Sequence, residues 1–165
     1  MNSGQSLLSV GAMFLLSLTV LRVNNTILGT DTVMQESKFG ILATSIATSF
    51  IEKASKKAFD AYTFENSVTA LNELTPANGL GPGSGENIPD NFNDFDDFNG
   101  YSEWITNLPS ALFNVSCEVC YVVPANPDLK LTTQSWSKRM TVTVSSPSSQ
   151  DTINLSTIYS YWHFR

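Results

Sequence analysis

The chain opens on an apolar run. Between Leu7 and Val23 the large side chains are Leu7, Leu8, Val10, Met13, Phe14, Leu15, Leu16, Leu18, Val20, Leu21 and Val23, and the first charge is Arg22. Together they favour a bilayer by roughly 3–7 kcal/mol on an insertion scale. Ser9, Ser17 and Thr19 interrupt the run. Each can bond its hydroxyl back to a carbonyl of its own helix. At about 17 residues the run is at the short end for spanning, and Arg22 at its edge can snorkel to the headgroups. Three kinds of segment share this pattern: a cleaved secretory signal, a plain single-pass anchor, and an anchor that follows a tiny polar leader ending in Gly. A secretory signal calls for a basic start and a small-x-small cleavage site. Met1 to Gln5 holds no Lys or Arg, and the run ends in Leu21-Arg22-Val23-Asn24-Asn25. Met1-Asn2-Ser3-Gly4 followed by Gln5 has the third shape.

A second pattern starts at Val33. Phe39, Leu42, Ile46, Phe50, Ala54, Ala58 and Tyr62 recur at spacings of three and four, which predicts an amphipathic helix over 33–64. Ile41, Ala47, Ile51 and Phe59 widen the stripe, and Glu52, Lys53, Lys56, Lys57 and Asp60 form the polar side. The C-terminal half of the stripe is expected to pack on a sheet. Residues 24–32 are poor helix formers, with Gly29 costing about 1 kcal/mol against Ala. They predict either a loosened waist in one helix or a break, with Asp31 or Thr32 capping the second segment.

Regular patterning stops over 65–111, where Pro76, Gly79, Gly81, Pro82, Gly83, Gly85 and Pro89 mark a loop-rich connector. It resumes with alternation. Val115, Cys117, Val119, Tyr121 and Val123 share one face of a strand over Leu112–Val123. Met140, Val142 and Val144 alternate with Arg139, Thr141, Thr143 and Ser145. After the turn-forming stretch 145–151, Ile153, Leu155, Thr157, Tyr159 and Tyr161 alternate again. The expected fold class is therefore α+β: a long N-terminal helix, membrane-inserting in its first half, packed on a small antiparallel sheet of at least three strands. In segments this reads 1–4 as a leader, 5–23 as the apolar helix, 24–32 as the waist, 33–64 as the second helical stretch, 65–111 as the connector and 112–165 as the β head.

Composition adds limits. The net charge is −6 and the pI near 4.6, so the surface repels phosphates and direct nucleic-acid binding is not expected. His163 is the only histidine, so no Ser-His-Asp set can be built without it. No phosphate-binding Gly-rich loop or zinc-spaced cluster occurs. Cys117 and Cys120 form C-x-x-C, but inside a strand pattern rather than at a helix start, where a thiol is activated. The pair is a candidate small disulfide, if a bulge brings the two faces together, or two buried thiols. Asp94, Asp96, Asp97 and Asn99 gather oxygens that suit Ca²⁺. However, Phe98 occupies a ligand position and no Glu lies twelve places after Asp94. The competing reading is a solvated acidic turn whose Phe side chains dock on the head. No other cofactor and no enzymatic activity are expected.

Taken in order, four pieces resemble the type IV pilin superfamily, minor pilins of the mannose-sensitive haemagglutinin type and type II secretion pseudopilins above all. They are Gly4-Gln5 before the apolar helix, the 43–60 helix ending in Phe59-Asp60, the turn Phe95-Asp-Asp-Phe-Asn-Gly-Tyr101, and Lys138-Arg-Met-Thr-Val-Thr-Val144 with the later 151–157 strand. The family's basic leader is uncharged here, Gln5 follows the Gly, and Ser9 stands where the family carries a Glu. The resemblance implies a structural filament subunit, held in a bacterial inner membrane with its head outside the cytoplasm before assembly. It further implies cleavage between Gly4 and Gln5 by a prepilin peptidase, and partners that are copies of the chain, other pilin-like subunits and the assembly machinery. A membrane-anchored envelope binding protein, with or without Ca²⁺, is the alternative.

Overall fold

The computed structural model describes residues 2–164 except 65, 110 and 150. One α-helix, α1 (Ser3–Ser55), is followed by strands β1 (Ser102–Ile105), β2 (Phe113–Val123), β3 (Asn126–Leu131), β4 (Ser137–Ser145) and β5 (Ile153–Ser160). Short 3-10 turns punctuate the connector and the C-terminus. The chain divides into two compact units, Met1–Phe39 and Gly40–Arg165, and α1 contributes to both.

The first unit is helix alone. No break occurs over 24–32, so the waist is helical and neither Asp31 nor Thr32 caps a second helix. Back-bonding explains how poor helix formers stay in register. Thr26 donates to the Arg22 carbonyl (2.9 Å), Thr30 to Thr26 (2.9 Å) and Thr32 to Leu28 (3.0 Å). Each hydroxyl is thus satisfied inside the helix rather than competing with it. Ser9, Ser17 and Thr19 do the same to Gln5, Met13 and Leu15, as their positions predict.

In the second unit α1 buries Ala43, Ala47, Phe50 and Ala54 at spacings of four, three and four. Three of these four are alanines, so the centre of the buried stripe is made of small residues. Leu42, Ile46 and Ile51 flank it half-buried, while Ile41 is 70% exposed. The helix stops at Ser55, short of the expected 64. The Lys57 amide bonds three residues back, to Ala54 (3.0 Å), and Ala58 leaves to bridge Asp94. Asp60 then caps a 3-10 turn, Ala61–Thr63, in a reciprocal capping box with Thr63. Asp60 therefore does not belong to a solvated helix face; it is fully buried.

The sheet is antiparallel, in the order β1-β2-β4-β5, with β3 also on β2. One edge of β2 carries β4 from Asn114 to Tyr121. The other carries β1 over Phe113–Ser116 and β3 at Tyr121 and Val123. Between those two short strands the β2 edge is completed by the connector: Gly100 donates to the Cys117 carbonyl (3.0 Å), Cys117 to Tyr101 (2.9 Å), and Val119 to Asn99 Oδ1 (2.9 Å). Gly100 takes φ +78, which only glycine adopts without strain. Cross-strand pairs Val115–Val144, Cys117–Val142, Val119–Met140 and Tyr121–Lys138 line the buried face. The alternation slips beyond Tyr121, where a bulge also buries Val122 and turns Val123 outward. The opposite face is polar, with Thr141 against Ser156 and Thr143 against Asn154.

Candidate functional site

Two features stand out: an uncovered apolar helix and a buried charge cluster. Along the first unit every large apolar side chain from Leu7 to Leu28 is exposed, Leu7 by 79% and Phe14 by 65%. An 18-residue window there has a mean hydropathy of 1.9 and is 0% buried. By length and composition α1 is apolar enough to cross a membrane, a property it shares with signal sequences. Because the helix runs unbroken past Val23, Ile27 and Leu28 add apolar side chains beyond Arg22, Asn24 and Asn25, and the helix from Leu7 to Leu28 is about 33 Å long, close to a bilayer's hydrocarbon thickness of about 30 Å. Gly4 and Gln5 lie in its first turn, where a Cβ at Gly4 would meet nothing within 4 Å. Gly11 is equally open.

The charge cluster is assembled from three parts of the chain. Strand alternation places Lys138 in phase with Met140, Val142 and Val144, and its side chain enters the core with no exposure. Its ammonium donates to the Phe59 carbonyl (2.8 Å), to Asp60 Oδ2 (2.8 Å) and to Asp96 Oδ1. The Phe59 and Tyr121 rings lie 4.6 and 5.2 Å from it, a cation–π setting shielded from bulk solvent. Asp60 also accepts from the Tyr62 amide (3.2 Å), both the amide and hydroxyl of Thr75 (3.1 and 3.0 Å) and the Tyr121 hydroxyl (3.3 Å). Burial pushes Asp60 upward, but the Lys138 charge and these hydrogen bonds outweigh it and hold the carboxyl below its usual value.

The acidic turn differs from the expected solvated one. Asp94, Asp96 and Asp97 are each 2% exposed. Its aromatic half does dock, with Phe92, Phe95 and Phe98 in the core. Asp94 Oδ1 accepts from the Asp96 and Asp97 amides (2.8 and 3.3 Å), and Asp97 Oδ2 from the Asn93 and Asp94 amides (2.8 and 3.1 Å). Asn99 bonds the Leu80 carbonyl and the Val119 amide (3.0 and 2.9 Å). One side-chain oxygen of each of Asp94, Asp96, Asp97 and Asn99 thus accepts a hydrogen bond from the protein itself. Among the described residues no group of three or more His, Cys, Asp or Glu side chains is placed to hold a metal ion. Burial first, then the Asp96 charge, push Asp94 up to about 8, so this carboxyl is protonated near neutral pH.

The strand around the C-x-x-C pair is regular, without the bulge that a bridge requires. Cys117 faces Val142 and Cys120 faces Arg139, on opposite sides of the sheet, and both thiols are free. Burial pushes Cys117 up to about 12, the reverse of an activated thiol. The side chain of His163 lies outside the described residues. An open groove of about 420 Å³ runs between α1 and β1, lined by Ser49, Phe50, Lys53, Glu103, Trp104 and Asn107. Lys138 and Asp60 were not among the candidates read from the pattern; their signal was the phase of Lys138 with the buried strand positions.

Comparison with protein-family models, with curated proteins and with solved structures finds no match to this chain.

Proposed function

We propose that the chain is a structural subunit of a pilin-like helical filament, held in a membrane by the first part of α1 before assembly. The observation that carries this reading is the contrast between the two units. Residues 40–165 hold a core of their own, while the helix of residues 3–39 exposes every large apolar side chain from Leu7 to Leu28. Apolar surface on that scale calls for lipid or a neighbouring subunit. Gly11, Ala12 and Ser17 allow close approach of a second helix once lipid is left behind. The sequence resemblance supports the same reading, from the Gly4-Gln5 junction to the Asp-Asp-Phe-Asn-Gly turn. No covalent chemistry on a substrate is assigned to the chain.

The N-terminus of the protein recovered from cells tests this. Cleavage in the pilin manner leaves Gln5 first and the whole apolar helix in place. A start beyond Val23 would mean that the helix is a discarded signal, and the reading would fail.

A further inference from the structure

We propose that Lys138 and Asp96 become joined through a side-chain amide, an isopeptide bond that the folded protein forms by itself, with Asp94 as the proton-transfer group. Three observations carry it. First, the nucleophile and the carboxyl are already in contact and dry: the Lys138 ammonium touches Asp96 Oδ1, and the two side chains are 0% and 2% exposed. Second, Asp60 and Asp96 are not equivalent. Asp60 is saturated by donors from Tyr62, Thr75 and Tyr121 and is fixed as a carboxylate. Among the described residues Asp96 has no such set of donors on its carboxyl, and its backbone amide bonds Asp94 Oδ1 (2.8 Å), which holds the two side chains in one tight turn. Third, Asp94 holds its proton near neutral pH and is anchored by two amides of its own turn.

The step balances without an outside reagent. Within the contact pair the Lys138 ammonium gives one proton to the Asp96 carboxylate. A neutral amine and a neutral acid result, which a buried site tolerates better than two separated charges. The Nζ lone pair then attacks the Asp96 carboxyl carbon, forming the C–N bond. Asp94 gives its proton to the departing Asp96 hydroxyl, the C–O bond breaks and water leaves. The surplus proton on nitrogen passes to Asp94, which ends as it began. Ammonium plus carboxylate become amide plus one water. The Phe59 carbonyl and Asp60 act as positioning groups, holding Nζ against the carboxyl. The product would tie the connector to β4 across 42 positions of sequence. A subunit under tension in a filament would gain a staple that needs no oxidising compartment.

Tryptic mapping of the full-length protein, purified and denatured, tests it. Trypsin cuts after a free lysine and not after an acylated one. The expected result is loss of the cut at Lys138, with peptides 58–130 and 131–139 recovered joined, lighter than their sum by one water. Recovery of free 131–138 in full yield would overturn the proposal. Two variants locate the chemistry, with folding checked by tryptophan fluorescence. Asp96→Ala is expected to leave Lys138 free; a joined product in that variant would place the bond on Asp60 and overturn the assignment. Asp94→Asn is expected to form the bond about a hundredfold more slowly in protein sampled at intervals after synthesis. A folded Asp94→Asn protein that joins at the wild-type rate would refute the role of Asp94.

Discussion

A lysine with no exposure persists only if its charge is met on every side. Lys138 meets two carboxylates, a carbonyl and two aromatic faces. Removing Lys138 while leaving Asp60 and Asp96 buried removes whatever meets them, the ammonium or, once the amide has formed, the bond that neutralises Asp96 and the N–H that faces Asp60, and keeps the cost. Lys138→Met is therefore expected to destabilise the 40–165 unit by about 3–5 kcal/mol. Urea unfolding followed by the fluorescence of Trp104, Trp136 and Trp162 measures this. A loss below about 1 kcal/mol, the scale of an exposed pair, would contradict the account. The carboxyls also set a pH profile. Asp94 moves from 3.8 to about 8 on folding. In that window the folded state holds a proton that the unfolded chain lacks, so stability falls as pH rises. Asp60 works in the opposite sense. Its contribution is present above 3.8 and is lost as pH falls through its lower folded value. On these two groups thermal stability should thus be greatest near the unfolded carboxylate value, about pH 4, and decline from there toward pH 8. Asp94→Asn should flatten that decline. Burial is the first cause of the Asp94 shift, so the trend holds whether or not the amide forms. An unchanged slope in the variant would count against the burial argument.

Among the elements, the β4–β5 hairpin was readable because two clean alternations flank a turn rich in Ser and Pro. β3 escaped notice because Asn126-Pro-Asp-Leu-Lys-Leu131 is largely exposed and carries no apolar alternation. β1 is only four residues long. The end of α1 was misplaced for a related reason. Ala58, Phe59 and Tyr62 continue the helical spacing, yet tertiary bonds from Ala58 to the connector and from Lys138 to the Phe59 carbonyl take the backbone away. The Lys138 cluster was legible only through strand phase, because its carboxylates come from segments 42 and 78 positions away. The helix stripe itself makes a sharp contrast. Phe50 is 3% exposed and Ile41 is 70% exposed on the same helix. Phe50→Ala should cost about 3–5 kcal/mol, and Ile41→Ala should stay within about 0.5 kcal/mol. Equal effects in urea unfolding would mean that a different helix face is packed.

For the whole molecule, the division of labour follows from where the apolar residues go. The 40–165 unit buries Phe50, Phe59, Phe95, Phe98, Phe113, Met140 and most of its Val side chains in a core of its own. The helix before it is built from residues of the same kind and buries none of the large ones from Leu7 to Leu28. The hydroxyls of Ser9, Ser17 and Thr19 are spent on its own backbone, so they do not interrupt the apolar surface it offers a neighbour. The overall α+β class followed from the two periodicities, 3.6 and 2, and the proposed filament role rests on the uncovered helix and the order of the motifs. Shearing filaments from the surface of cells that make this protein, followed by mass spectrometry of the filaments, tests that role most directly. The account predicts peptides from residues 40–165 in the filament fraction, with Gln5 as the N-terminus. Recovery of the chain only from membranes, with filaments that lack it, would contradict the account.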